Sequence, residues 1–123
     1  MAMAIDREFE VFLADLLEPV GNVTLKRMFG GLGIFRHGLM FGLVADDRVC
    51  LKVDDGNRQD YIDAGMEEWS YDGKGKPITM GYWYVPDRLL EDPEEMSEWA
   101  IKAFDAAVRI DQAKSPSQRK LKV

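Results

Sequence analysis

The chain opens with apolar residues at helical spacing, Phe9, Phe12, Leu13, Leu16 and Leu17. The pattern predicts an amphipathic helix that Asp6 caps and that Pro19 and Gly21 end. From Val23 the period shortens to two. β-Branched and aromatic residues recur in four runs, 23–28, 32–35, 39–45 and 48–53. His37-Gly38 and Asp46-Asp47 separate successive runs at tight-hairpin spacing. The run 39–45 is apolar throughout apart from Gly42, which predicts a central strand covered on both faces. In 48–53 the odd positions Val49, Leu51 and Val53 are apolar, so one face meets the core while Arg48 and Lys52 reach the other.

Asp54-Asp55-Gly56 offers a cap to a short helix over 58–64, with Tyr61 and Ile62 inward and Gly65 supplying a left-handed end. Residues 69–72 and 77–85, joined by Gly73-Lys74-Gly75-Lys76, predict a second hairpin. Asp92-Pro93-Glu94-Glu95 is a strong helix start: a cap, a proline in the first turn, then acids facing the helix dipole. Met96, Trp99, Ala100, Ala103, Phe104 and Ala107 form the stripe that this helix buries. The order α-β-β-β(-β)-α-β-β-α predicts a two-layer α+β fold, a mostly antiparallel sheet with helices packed on it. Residues 1–113 make the domain. The polar, basic segment 114–123 has nothing to bury and is expected to be disordered.

A chain of 123 residues accommodates one domain and can hold a core without disulfides. The N-terminus lacks the pattern of an export signal, and no apolar run reaches the roughly 20 residues of a membrane span. The single cysteine, Cys50, agrees with a reducing compartment, and the expectation is a cytoplasmic protein. Lys114, Arg119, Lys120 and Lys122 give the last ten residues +4, so the rest of the chain holds −10 of the net −6. An acidic body repels phosphate backbones, which disfavours direct nucleic-acid binding by the folded part.

Candidate chemistry is sparse. In Arg27-Met28-Phe29-Gly30-Gly31-Leu32-Gly33 the glycines permit close backbone approach, as in a phosphate cradle or in a bulge or tight turn. The stretch lacks the Lys-Ser/Thr of a P-loop, which favours the turn. Asp46, Asp47, Asp54 and Asp55 flank one strand, but its length separates the two pairs, so turn and cap roles fit better than a metal site. His37 and Cys50 have no nucleophile motif around them. Tyr82, Trp83 and Tyr84, with Lys74 and Lys76 in the preceding loop, suggest a stacking platform, yet alternation divides them and part of the cluster must be core. The interface candidates are Arg27, Phe29, Gly30, Gly31, Lys52, Lys74, Lys76 and Trp83. No catalytic residue, cofactor or metal ligand is assigned.

The run from Arg27 to Phe35, followed by Gly38-Leu39-Met40-Phe41 and Leu51-Lys52, resembles the N-terminal domain family of the competence regulator TfoX (Sxy). Phe9 through Pro19, Lys74-Gly75-Lys76, Tyr82-Trp83, and Leu90-Glu91-Asp92-Pro93 with Trp99 extend the likeness over nearly residues 5 to 112. The resemblance implies a two-layer fold similar to secretion chaperones. It also implies a regulatory role: full-length members carry a second, C-terminal domain and promote expression of DNA-uptake genes together with a cyclic-AMP receptor protein. The expectation is a stand-alone, non-enzymatic domain that binds a protein partner, with a homodimer among the states this allows. Nucleic-acid binding through the tail and loop lysines, and an enzyme of unknown type, are the alternatives.

Overall fold

A computed structural model describes residues 7–28, 30–45 and 47–121, so the Asp6 cap, Phe29 and Asp46 lie outside the described residues. Helix α1 (Arg7–Leu16) runs into a 3-10 turn at Glu18–Val20. Four strands follow: β1 (Val23–Met28), β2 (Gly31–Arg36), β3 (Leu39–Ala45) and β4 (Arg48–Lys52). After α2 (Arg58–Asp63) come β5 (Glu68–Gly73), β6 (Lys76–Tyr84), a 3-10 turn at Asp87–Glu91 and α3 (Pro93–Gln112). The strands form one antiparallel sheet in the order β1-β2-β3-β4-β6-β5. This is the α+β arrangement that the periodicity predicts.

α3 lies across β3 and β4. Its stripe Met96, Trp99, Ala100, Ala103, Phe104 and Ala107 is buried, with Phe104 meeting Phe41 edge-on at 5.7 Å between ring centroids. Leu13, Leu16 and Leu17 join the same core, together with Leu32, Ile34, Val49, Leu51 and Val53 from the strands. Burying each such side chain contributes about 1.5–3 kcal/mol. Asp92 caps α3 as its sequence predicts, its carboxylate accepting the Glu95 N–H at 3.1 Å.

β3 explains its unbroken apolar run. Ile34 pairs with Gly42 but Phe35 with Met40, leaving Phe41 as an extra residue. This bulge switches the alternation, so Leu39, Phe41 and Val44 face the helices while Leu43 joins a second cluster. Glycine suits position 42, since a Cβ would lie 2.9 Å from Cys50 O, a backbone atom of the paired strand.

Three local expectations are corrected. Phe12 and Ile62 are exposed rather than inward, because α1 and α2 bury narrower faces, centred on Leu13 with Leu16 and on Tyr61. The acids before α2 do not cap it: Asn57 stands at the cap position without a side-chain cap bond, and its side chain braces the loop through Asp54 N and Lys52 O. Residues 114–121 are not loose. Leu121 packs on the core, and Asp111, 1% exposed, accepts N–H groups from Lys120 and Leu121 at 2.8 and 3.0 Å. One apolar residue in a basic segment leaves no periodic signal, and Asp111 in sequence belongs to the polar side of a helix.

Replacing Asp92 by alanine is expected to cost about 0.5–2 kcal/mol, read as a lower urea midpoint, because the cap acceptor is lost. The two tail N–H groups hold the Asp111 carboxyl below its ordinary 3.8. A depressed carboxylate stabilises the docked tail above that ordinary value, and the contribution is lost as pH falls through the lower folded value. Protection of the Leu121 amide, relative to its intrinsic exchange rate at each pH, should therefore fall on acidification in that window, and Asp111→Ala should show little protection already at pH 6.

Candidate interaction surface

All three helices pack on one side of the sheet; the other carries its own cluster. Leu43, Cys50 and Tyr82 are buried there, and Met40, Ala45, Trp69 and Tyr84 pack against them. At the β1–β2 end Met28 and Phe35 cover Gly33, where a Cβ would fall 2.6 and 2.7 Å from their side chains. At the other end Trp69 touches Tyr71, with ring centroids 5.5 Å apart.

Cations lie over the rings of this face. Arg48 is 3.9 Å from the Tyr84 ring centroid, Lys52 is 4.4 Å from Tyr82, and Lys26 is 5.3 Å from Phe35. Lys52 also donates to Met80 O at 2.8 Å. Burial, with Lys114 nearby, lowers the Lys52 ammonium pKa, while Glu68 acts to raise it. Desolvation pushes the Tyr82 phenol up to about 12, so it is neutral at physiological pH.

The sequence-derived candidates are not gathered in one place. Lys52 belongs to this surface. Trp83 turns the other way, toward α2, with its ring 6.0 Å from Tyr61, so the tyrosines rather than the tryptophan occupy the open side. Tyr61 itself meets Trp99 at 4.7 Å, and its hydroxyl is buried with no hydrogen-bond partner among the described residues. Lys74 and Lys76 are exposed at the far end of the β5–β6 hairpin. Arg27 is on the helix side, its Nη2 3.0 Å from Glu10 of α1. An internal carboxylate thus holds the one cation of the glycine-rich stretch.

That stretch is a hairpin turn. Met28 pairs with Gly31, closing the β1–β2 hairpin, and Gly30 adopts φ +78°. A Cβ on Gly31 would lie 2.1 Å from Val44 O, a backbone atom that cannot step aside without separating strands. Two of the acids flanking β4 are likewise engaged: Arg109 grips Asp54 through two bonds of 2.7 Å, and Asp55 pairs with Arg58. Arg109 and the Gly56 N–H together hold the Asp54 carboxyl below its usual range, against a desolvation that would raise it. His37 packs toward Phe104 on the helix side, whereas Cys50 is packed with Leu43 and Tyr82 on the other.

Leu43, Cys50, Met40 and Trp69 are members that sequence reasoning missed. Alternation through Arg48, Cys50 and Lys52, set beside Tyr82 and Tyr84, was the available signal; the bulge at Phe41 hid Leu43.

Gly31→Val is expected to cost about 3 kcal/mol or to prevent folding, since it overpacks against backbone. Arg27→Ala removes an exposed ion pair and should cost no more than about 1 kcal/mol. Urea unfolding of both variants checks the contrast.

The sequence matches the TfoX N-terminal domain over residues 15–107. It is 23% identical over 109 residues to the DNA transformation protein TfoX1 of Aliivibrio fischeri, covering 88% of this chain and 52% of that protein. The chain therefore spans about half the length of that relative. It is 28% identical over 91 residues, 74% of each chain, to an uncharacterised 12.7 kDa protein encoded in the trpE 5′ region of Spirochaeta aurantia. With most of its length inside the matched region, the chain belongs to the TfoX N-terminal domain family.

Proposed function

We propose that this domain is regulatory, acts by binding a protein partner rather than by catalysis, and touches the transcription of competence genes through that partner. The supporting observation is the second face of the sheet. A sheet of six strands ordinarily buries its apolar faces, yet here Met40, Trp69 and Tyr84 stay partly exposed around Leu43, Cys50 and Tyr82, with none of the described helices over them. Side chains of that kind, aromatic and methionine with arginine beside them, are enriched at the centres of protein interfaces. The name of the A. fischeri relative, a DNA transformation protein, supports the link to competence. Among the described residues no helix is long and apolar enough to cross a membrane.

A photo-crosslinking residue placed at position 84 should yield a discrete protein adduct in cells, whereas the same residue at position 101, exposed on α3, should yield none. Absence of any protein adduct from position 84 would overturn the reading.

A further inference from the structure

Resting on the reading of this domain as an interaction module, we infer that the open sheet face receives an acidic, apolar segment of a different protein, of about the length of a four-turn helix. Charge carries the argument. Strands β1, β2, β3, β4 and β6 contain six Lys and Arg residues and no Asp or Glu, in a chain whose net charge is −6. Lys26, Arg48 and Lys52 stand on the open side, each against an aromatic ring. Glu68, the acid that acts on Lys52, accepts the Gly81 N–H at 3.2 Å. The surface is therefore an apolar floor studded with cations, inside an otherwise acidic domain.

That distribution discriminates among occupants. A second copy docking through the same face would bring the Lys26, Arg48 and Lys52 of both copies into one interface, since a two-fold interface uses the same patch on each copy. Like charges so placed oppose pairing. Single-stranded nucleic acid needs free ring faces on which bases stack. Here the Tyr82 and Tyr84 rings already carry Lys52 and Arg48. Carboxylates, by contrast, can engage the outer side of those cations without displacing them from the rings. Met28, Met40 and Met80, the last 48% exposed, add flexible apolar contacts that mould to a helix or strand laid between the charges. Six strands at about 4.8 Å spacing give a floor of roughly 24 Å, which a helix of about sixteen residues spans.

Selection of a displayed library of sixteen-residue peptides on the immobilised domain tests this. Enriched peptides should be net acidic with an apolar stripe, and should shift the amides of Met40, Cys50, Lys52, Tyr82 and Tyr84. The K26E/R48E/K52E variant, with unaltered far-UV circular dichroism, should weaken their binding at least tenfold. Met80→Glu, a single change at an exposed site, provides a second probe that should weaken it without unfolding the domain. The inference is overturned if the enriched peptides show no acidic bias, or if they shift residues of α1 or the 28–31 turn instead. It is equally overturned if a sixteen-nucleotide oligo(dT) binds this face more tightly, or if the chain alone dimerises through it. Peptide binding elsewhere would leave the interaction reading standing; the crosslink at position 84 tests that reading separately.

Discussion

The packing of α3 across β3 and β4 is the contact on which the other elements depend. Ala100, Ala103 and Ala107 leave no side-chain bulk along the middle of the helix, so it can approach the sheet closely, while Phe104 reaches Phe41 and Trp99 reaches Tyr61. Tyr61 anchors α2, and Arg109 near the end of α3 holds the loop before α2 through Asp54. Arg36 and His37 gather around the Phe104 ring, with Arg36 at 4.8 Å, so the β2–β3 hairpin is fixed to the same helix. The tail returns to it through Asp111. A single amphipathic stripe thereby organises β2, β3, β4, α2 and the C-terminal segment.

With every helix on one side, the opposite side of the sheet must tolerate water by other means. Its rings are covered by cations of neighbouring strands, Arg48 on Tyr84 and Lys52 on Tyr82, each contact worth about 0.5–1 kcal/mol at an exposed site. The aliphatic stem of exposed Arg48 shields apolar surface while its charge stays wet, whereas the Lys52 ammonium is partly desolvated and bonded to Met80 O. The same charges discourage edge-to-edge and face-to-face association of the sheet. One set of side chains thus both covers the apolar rings and sets the charge of this face.

How much of this was legible follows from the range of each signal. Periodicity marked α3, its Asp92 cap, the strands and their antiparallel order, because each depends on neighbours in sequence. The residues that make the open face come from all six strands, and their meeting depends on strand order, which places β6 between β4 and β5. Lys52 was a candidate on alternation alone. Trp83 was carried as an interface candidate because three consecutive aromatics do not say which parity faces the helices. That choice is made by Val85, buried two residues later in the main core. Leu121 and Asp111 met across a turn that no pattern announces.

The separation of charge within the fold also limits what net charge means here. The acids lie in helices, turns and β5, and the central strands are purely basic. At physiological ionic strength the Debye length is about 8 Å, whereas a domain of this size is on the order of 30 Å across. A partner approaching the sheet therefore feels the local cations far more than the acids on the helix side. The two sides present opposite charge, so an acidic segment would be repelled at the helices and attracted at the sheet. Orientation is selected before any apolar contact forms, and the apolar floor then sets how long the encounter lasts.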